Sequence, residues 1–165
     1  MQQINVVIAF YSRYCETEKL ALNVGLGVLQ ARATPRFRRL ADLAAPDAIE
    51  ADEIWKNNLR RMKIEYVAPR PGDAKLADVL VLLTPGYETC EVLRYAESLP
   101  TDGSMSGKIA APIATRNGEA ALGPIIAAAT KAGMAIVPFL PSGDALAAAC
   151  AHGTALVNMA RAHKT

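Results

Sequence analysis

Cysteine and aromatic residues are scarce in this chain, and their scarcity argues against several classes of protein. Three cysteines, Cys15, Cys90 and Cys150, are spread over 165 residues without metal-ligand spacing. We therefore expect neither a disulfide framework nor a metal site. Aromatic residues make up 5% of the chain. Few lie beside the basic residues between positions 36 and 63, so nucleic-acid binding is not expected. Those basic residues are instead predicted to form a solvated edge strand and helix face.

Long apolar runs and an excess of one charge are also missing. No apolar run reaches the roughly 18 residues that span a bilayer. Residues 1–4 lack the basic start of a signal peptide, so we expect a cytoplasmic protein without a membrane span. The formal net charge is +2, with 52% hydrophobic and 21% charged residues. These values predict one globular domain over residues 1–165 with a sizeable core.

Motifs for two common kinds of hydrolytic chemistry are absent as well. The chain has no Gly-x-x-x-x-Gly-Lys-[Ser/Thr] loop, so nucleoside triphosphate hydrolysis is not expected. It has no Gly-x-Ser-x-Gly elbow, and Ser12 has no His or Asp close by in the sequence. A chain without its own acid–base or nucleophile set is typical of proteins whose cofactor carries the chemistry.

The most informative segment present is an apolar run at residues 6–11, followed by a short loop and a helical pattern from Glu16. A loop between a buried strand and a helix N-terminus directs backbone N–H groups and a positive dipole end to one point. Ser12, Tyr14 and Thr17 add hydroxyl groups there. The segment therefore predicts a binding site for one phosphate group.

Apolar runs alternate with helical patterns along the rest of the chain. Runs at 79–83, 109–114 and 135–140 are nearly continuous, which is typical of parallel strands buried on both faces. Residues 35–40 alternate, which is typical of an edge strand. The helical patterns cover residues 16–32, 52–62, 88–99, 119–132 and 143–163. This alternation predicts an open, doubly wound α/β sheet.

Three loops follow strands at the predicted carboxyl edge of this sheet, where such folds bind ligands. Hydroxyl groups, glycines and one aromatic ring recur in them, which fits a phosphate-bearing ligand with a flat polar ring. The candidate binding residues are Ser12, Arg13, Tyr14, Cys15, Glu16 and Thr17 in the first loop, Pro85, Gly86, Tyr87, Glu88 and Thr89 in the second, and Thr115, Arg116, Asn117 and Gly118 in the third.

At these loops the chain resembles the flavodoxin-like flavoproteins. Residues 11–14 read Tyr-Ser-Arg-Tyr and are followed by Glu18. This is similar to the Tyr-Ser-x-Tyr-Gly-His-x-Glu loop of the Trp-repressor-binding-protein family of NAD(P)H:quinone oxidoreductases. The Thr-Pro at 84–85 is similar to that family's second loop, and the Pro-Gly-Tyr at 85–87 resembles NADPH-dependent FMN reductases. Segments 107–108 and 133–138 resemble further short motifs of the quinone reductases.

The resemblance implies a flavodoxin-like fold, with five parallel strands in the order 2-1-3-4-5 and helices on both faces. It implies FMN as cofactor, NAD(P)H as co-substrate and a quinone or similar small molecule as electron acceptor. The FMN phosphate would bind at residues 12–17, and its ring would lie between the second and third loops. Arg116 is a candidate for contact with substrate or with reduced flavin. The quinone reductases also assemble as oligomers, so a homo-oligomer is expected.

Two departures from the family pattern keep other functions open. Cys15 stands where the family has glycine, and Glu16 puts a carboxylate beside the expected phosphate. The alternatives are a flavodoxin-type electron carrier, which the charge of +2 disfavours, and a protein that keeps the fold as a binding module without flavin. An apolar stripe of Ile54, Trp55, Leu59 and Met62 could cover the chain's own sheet or a second subunit.

Overall fold

A computed structural model describes residues 1–88, 90–115 and 118–165. Its central element is one parallel sheet with strand order β2-β1-β3-β4-β5, which confirms the predicted flavodoxin-like order 2-1-3-4-5. The strands are β1 (Asn5–Phe10), β2 (Thr34–Arg39), β3 (Val79–Thr84), β4 (Ile109–Ala114) and β5 (Ala135–Ile136).

The strand register brings the three candidate binding loops to one edge of the sheet. Phe10 at the end of β1 pairs with Arg39 on β2 and with Leu83 on β3. Thr84 pairs in turn with Ala114 at the end of β4. Because parallel strands all point the same way, the loops after β1, β3 and β4 leave the sheet side by side.

Helices cover both faces of the sheet. They are α1 (Glu16–Gln30), α2 (Pro46–Glu50), α3 (Glu53–Glu65), α4 (Asp73–Leu76), α5 (Glu91–Glu97), α6 (Glu119–Lys131) and α7 (Ala145–Lys164). Val6, Ile8 and Phe10 pack with apolar residues of α1 and α7 on one face. The alternate β1 residues Val7 and Ala9 pack with α4, α5 and α6 on the other. Burial on both faces explains the continuous apolar runs of the inner strands.

The fifth strand differs from its prediction. The apolar run at 135–140 was expected to be buried on both faces, but only Ala135 and Ile136 form strand, and Ala135 is exposed. The strand lies at the sheet edge, where one side has no neighbour. Pro112 on β4 and Pro138 beyond β5 both lack the N–H that a longer ladder would use. The prediction of a buried strand was therefore wrong at this position.

The basic stretch is also less solvated than expected. Arg38 and Arg39 on edge strand β2 are 8% and 6% exposed. Arg38 donates from Nε to Asp73 at 2.7 Å, and Arg39 pairs with Asp42 at 3.1 Å. The segment after β2 covers this strand, so both guanidinium groups are buried with carboxylate partners, as buried charges require.

The apolar stripe on α3 covers the chain's own fold. Trp55, Leu59 and Met62 are 4%, 8% and 0% exposed, whereas Ile54 is 65% exposed. Met62 belongs to the core cluster of the α1–α7 face. None of the helices in the described part of the chain has the length and apolar character that a membrane span requires.

Candidate functional site

The first loop ends in a residue with left-handed backbone. Cys15, at the N-cap of α1, has φ 71°, a conformation that glycine adopts without steric cost. The chain therefore takes the glycine-like turn of the family pattern with a residue that is strained there. Beside it, Ser12 is 1% exposed, and its Oγ accepts a hydrogen bond from the Glu18 amide at 3.4 Å.

An ion pair between buried Glu18 and partly exposed Arg61 joins the start of α1 to α3. Glu18 is 4% exposed, and its carboxylate accepts hydrogen bonds from Arg61 at 2.6 and 2.9 Å. Burial by itself would raise the pKa of Glu18, but hydrogen bonds from Arg61 and Tyr66 and the Arg61 charge hold that pKa below its usual value. Arg61 Nη2 also lies 3.5 Å from the Cys15 sulfur. The strained turn is thus held by neighbouring side chains.

The third loop contacts the first and second loops directly. The hydroxyl oxygens of Thr17 and Thr115 lie 3.0 Å apart, which joins the first loop to the third. Gly86 has φ 74°, and a Cβ placed there would lie 2.3 Å from the Gly118 Cα. Only glycine allows this approach of the second and third loops. The sequence prediction placed these three loops at one edge, and in the structure they are in contact.

These loops enclose a cavity of about 270 Å³ at the carboxyl edge of the sheet. Nine predicted site residues line it: Ser12, Arg13, Tyr14, Glu16, Thr17, Pro85, Gly86, Tyr87 and Thr115. Cys15 and Gly118 shape the loops without lining this cavity, and Glu88 lines a neighbouring one. The predicted residues Thr89, Arg116 and Asn117 lie outside the described residues. Within the described ranges, no cluster of His, Cys, Asp and Glu could hold a metal ion.

Two aromatic rings stand beside the cavity with an arginine between them. The Arg13 Cζ lies 3.9 Å from the Trp55 ring centroid and 3.8 Å from the Tyr87 centroid. Both distances are within the range of a cation–π contact, so Arg13 bridges the two rings. Tyr87 was predicted as a site residue, whereas Trp55 was predicted only as part of the apolar stripe. We call Trp55 and Tyr87 the aromatic clamp.

A buried polar network orients the clamp from behind. Asp42 Oδ1 accepts hydrogen bonds from the Trp55 indole N–H at 3.0 Å and from the Tyr11 hydroxyl at 2.7 Å. The Tyr11 hydroxyl accepts in turn from Arg13 Nε at 2.8 Å. Burial first, and then the hydrogen bond to Asp42, raises the pKa of Tyr11. Sequence reasoning missed Asp42 because it lies in an irregular segment and matches no motif.

A second hydroxyl–carboxylate pair ties the first loop to α3. The Tyr14 hydroxyl donates to Asp52, the residue that caps α3 by accepting from the Trp55 amide at 3.0 Å. The hydrogen bond to Asp52, followed by burial, raises the pKa of Tyr14 to about 12. Tyr14 therefore stays a neutral hydroxyl at physiological pH. The pair fixes the first loop to the same helix that carries Trp55.

The fold can be compared with the folds of known proteins. No protein-family model matches the sequence, and no curated protein matches it either. Solved structures do share the fold. A flavodoxin from the domain Archaea is 13% identical with a TM-score of 0.62, covering 96% of this chain and 99% of that chain.

Two bacterial structures extend the comparison. A flavodoxin-like domain from Synechococcus is 18% identical with a TM-score of 0.57, covering 93% of this chain and 96% of that one. The two-electron reduced flavodoxin of Megasphaera elsdenii is 15% identical with a TM-score of 0.53, covering 93% and 98%. At these identities the likeness establishes a flavodoxin-like fold.

Proposed function

We propose that this protein binds FMN and uses it to transfer electrons from NAD(P)H to a quinone or a similar small acceptor. One observation carries the proposal. A cavity of about 270 Å³ at the N-terminus of α1, with hydroxyl-bearing residues in its wall, adjoins two aromatic rings that both contact one planar guanidinium group. Such a pairing suits a ligand with one phosphate and one flat ring.

The first loop supplies the groups that a phosphate needs. The hydroxyls of Ser12, Thr17 and Thr115 belong to residues that line the cavity, whereas the single hydroxyl proton of Tyr14 is already donated to Asp52. The amide groups at the start of α1 and the positive end of the helix dipole favour an anion there. Because the cavity adjoins a single phosphate-binding turn, the site suits FMN better than a dinucleotide.

The second half of the site suits a flat ring. A planar guanidinium group already lies between Trp55 and Tyr87, so the gap between the rings admits one planar layer. Gly86 and the alanines at 44, 45 and 48 line the space beside the clamp. We propose that the isoalloxazine ring lies here, with Asp42 fixing the indole through its N–H.

Bound FMN would supply the hydride and electron chemistry, and the chain would bind and orient it. Glu16 works against the phosphate, because its exposed carboxylate lies on the cavity wall. Arg13 brings the opposite charge to the same wall. Because the two charges oppose each other, we expect FMN binding that is measurable but weaker than it would be without the Glu16 carboxylate.

A flavodoxin-type electron carrier remains a second candidate function. The similar chain length favours it, since this chain covers 99% of the archaeal flavodoxin. A carrier and a reductase differ in whether the protein itself oxidises NAD(P)H. The formal net charge of +2 favours the reductase, because the acidic surface expected of flavodoxin carriers is missing.

The test is an activity assay on FMN-saturated protein with NADH or NADPH and a water-soluble quinone. We expect oxidation of the nicotinamide that depends on both added FMN and enzyme, above the rate of free FMN at the same concentration. A protein that holds FMN but oxidises neither nucleotide is a carrier. A protein that takes up no FMN contradicts both functions.

A further inference from the structure

The clamp is already occupied by a side chain of the protein itself. Arg13 contacts both rings and donates from Nε to the Tyr11 hydroxyl at 2.8 Å. Its Cζ also lies 5.5 Å from the Tyr11 ring centroid. A flat ligand cannot enter the same layer while the guanidinium group is there, because two planar groups cannot occupy one van der Waals gap.

Arg13 also separates two cavities. The cavity of about 270 Å³ lies on the side of the first and third loops. A second cavity of about 570 Å³ is lined by Trp55, Glu88 and the alanines at 44, 45 and 48. Arg13, Gly86 and Tyr87 line both. Removal of the Arg13 side chain would therefore widen the boundary between the smaller space, which hydroxyl-bearing residues line, and the larger, mostly apolar one.

The Trp55 half of the clamp is fixed, whereas Arg13 lies on the first loop. The Trp55 indole N–H is held by Asp42, whose carboxylate is 7% exposed and pairs with Arg39. Trp55 is 4% exposed, so its ring has little freedom to follow Arg13. Arg13 lies on a loop and has a long side chain with several rotatable bonds. The gap between the rings should therefore persist when Arg13 leaves it.

The smaller cavity offers the Arg13 side chain an alternative position. Among the described residues that line the smaller cavity, it is the one cationic side chain, beside the carboxylate of Glu16. A dianionic phosphate in that cavity would attract the guanidinium group, which can bind phosphate with two parallel hydrogen bonds. Departure from the clamp and contact with the phosphate are thus two parts of one movement.

We infer that Arg13 is an internal competitor for the ring site, which leaves the Trp55–Tyr87 clamp when a phosphate-bearing flat ligand binds. The inference rests on the proposed function for its ligand. It makes Arg13 a specificity-determining residue, since a phosphate-bearing ring compensates for displacing Arg13, whereas the same ring without phosphate does not. The apparent affinity for the bare ring is reduced by the fraction of molecules in which Arg13 fills the clamp.

The test compares FMN with riboflavin, which has the same ring and no phosphate. Both are titrated into wild type, Arg13→Ala and Arg13→Lys, with folding checked by circular dichroism. The single tryptophan, Trp55, reports ring binding through its fluorescence. Arg60→Ala is the matched control, because it removes an exposed arginine from the same helix as Trp55.

We expect Arg13→Ala to tighten riboflavin roughly tenfold, because two cation–π contacts no longer compete with the ring. The affinity for FMN should increase less than that for riboflavin, because the FMN phosphate no longer has the Arg13 guanidinium group to bind. Arg13→Lys should also tighten riboflavin, because an ammonium group stacks less well than a planar guanidinium, while it keeps more of the preference for FMN. Arg60→Ala should change neither constant.

Three outcomes distinguish the two proposals. Riboflavin and FMN constants that are unchanged in both Arg13 variants overturn the competitor role while leaving FMN binding intact. Binding by Arg13→Ala but not by wild type supports the competitor role in its strongest form. Absence of flavin binding by every folded variant overturns the proposed function, and the competitor role with it.

Discussion

At the scale of single residues, the site is built from charges held close to one another. Buried Glu18 pairs with partly exposed Arg61 on α3, whereas Glu16 lies exposed two residues earlier on the cavity wall. The first carboxylate has a structural partner, and the second faces the space proposed for a phosphate. Their substitution should therefore affect different properties.

Replacing Glu16 with Gln should tighten FMN binding several-fold at low salt. A like charge near a dianion at a partly exposed site costs on the order of 1 kcal/mol. The gain should shrink near 1 M salt, where the screening length falls to about 3 Å. Fluorescence titration at both salt concentrations measures this, with the distant exposed Glu97→Gln as control. Equal dissociation constants for Glu16→Gln and wild type at low salt would show that the carboxylate does not act on the phosphate.

Glu18 should give the protein a pH-dependent stability. Its folded-state pKa is lowered below the ordinary value of 4.5. The stabilisation is therefore fully present above pH 4.5 and is lost as pH falls through the folded pKa. Glu18→Gln should lower the free energy of unfolding by about 1–3 kcal/mol at neutral pH, since it removes hydrogen bonds to a charged group.

Urea unfolding of both proteins between pH 7 and pH 3 measures this difference, which should diminish below pH 4.5. Glu65→Gln is the matched control, because Glu65 pairs with the same Arg61 at 49% side-chain exposure. Its effect should stay below about 1 kcal/mol, as for other exposed pairs. A Glu18→Gln deficit of the same size at pH 3 and pH 7 would refute the linkage.

At the scale of elements, α1 is held by a close approach of α7. A Cβ on Gly27 would lie 1.8 Å from the Cys150 carbonyl oxygen, and one on Gly153 would lie 2.2 Å from the Val24 carbonyl oxygen. Thr154 Oγ1 donates to the Gly27 carbonyl at 2.9 Å between these glycines. Because α1 begins at the first loop, its position on α7 also sets the position of the cavity.

Gly27→Ala and Gly153→Ala should each lower the free energy of unfolding by about 2–3 kcal/mol, because backbone atoms must move apart to admit a methyl group. Gly123→Ala on α6 is the control, since a Cβ there meets nothing within 4 Å. Its effect should stay below about 1 kcal/mol, because the gain in helix propensity is offset by the restriction that Pro124 places on a residue with a Cβ before it. Equal effects at all three positions in thermal or urea unfolding would contradict the close helix contact.

The elements that sequence patterns predicted are those whose burial determines their composition. The inner strands β1, β3 and β4 are covered on both faces, so their apolar runs are continuous. The prediction was wrong for β5, because an apolar run at a sheet edge looks the same as a buried one. The strand order came from the resemblance, since apolar patterns do not specify which strands are neighbours.

Only the part of the site that is formed by loops at the ends of strands could be predicted from the sequence. Its three loops were placed at one edge because each follows a parallel strand. The clamp was not predicted as a unit, because Asp42 lies in the irregular stretch after β2, Trp55 lies on α3 and Tyr87 lies in the loop after β3. Contacts among these residues depend on tertiary packing, which local sequence patterns do not predict.

At the scale of the whole molecule, one sheet edge gathers the three loops, the cavity and the clamp. The α3 stripe, which could have joined two subunits, packs inside the chain through Trp55, Leu59 and Met62. The homo-oligomer implied by the quinone reductases remains a prediction, and these three buried side chains are not available for its interface. Binding of FMN is the claim on which the proposed activity depends.

The most direct test of that claim is an equilibrium titration of the purified protein with FMN and with FAD under the same conditions. We predict saturation at one FMN per chain and weaker binding of FAD, because the cavity adjoins a single phosphate-binding turn. Failure to take up FMN at high micromolar concentration, or tighter binding of FAD than of FMN, would contradict the account.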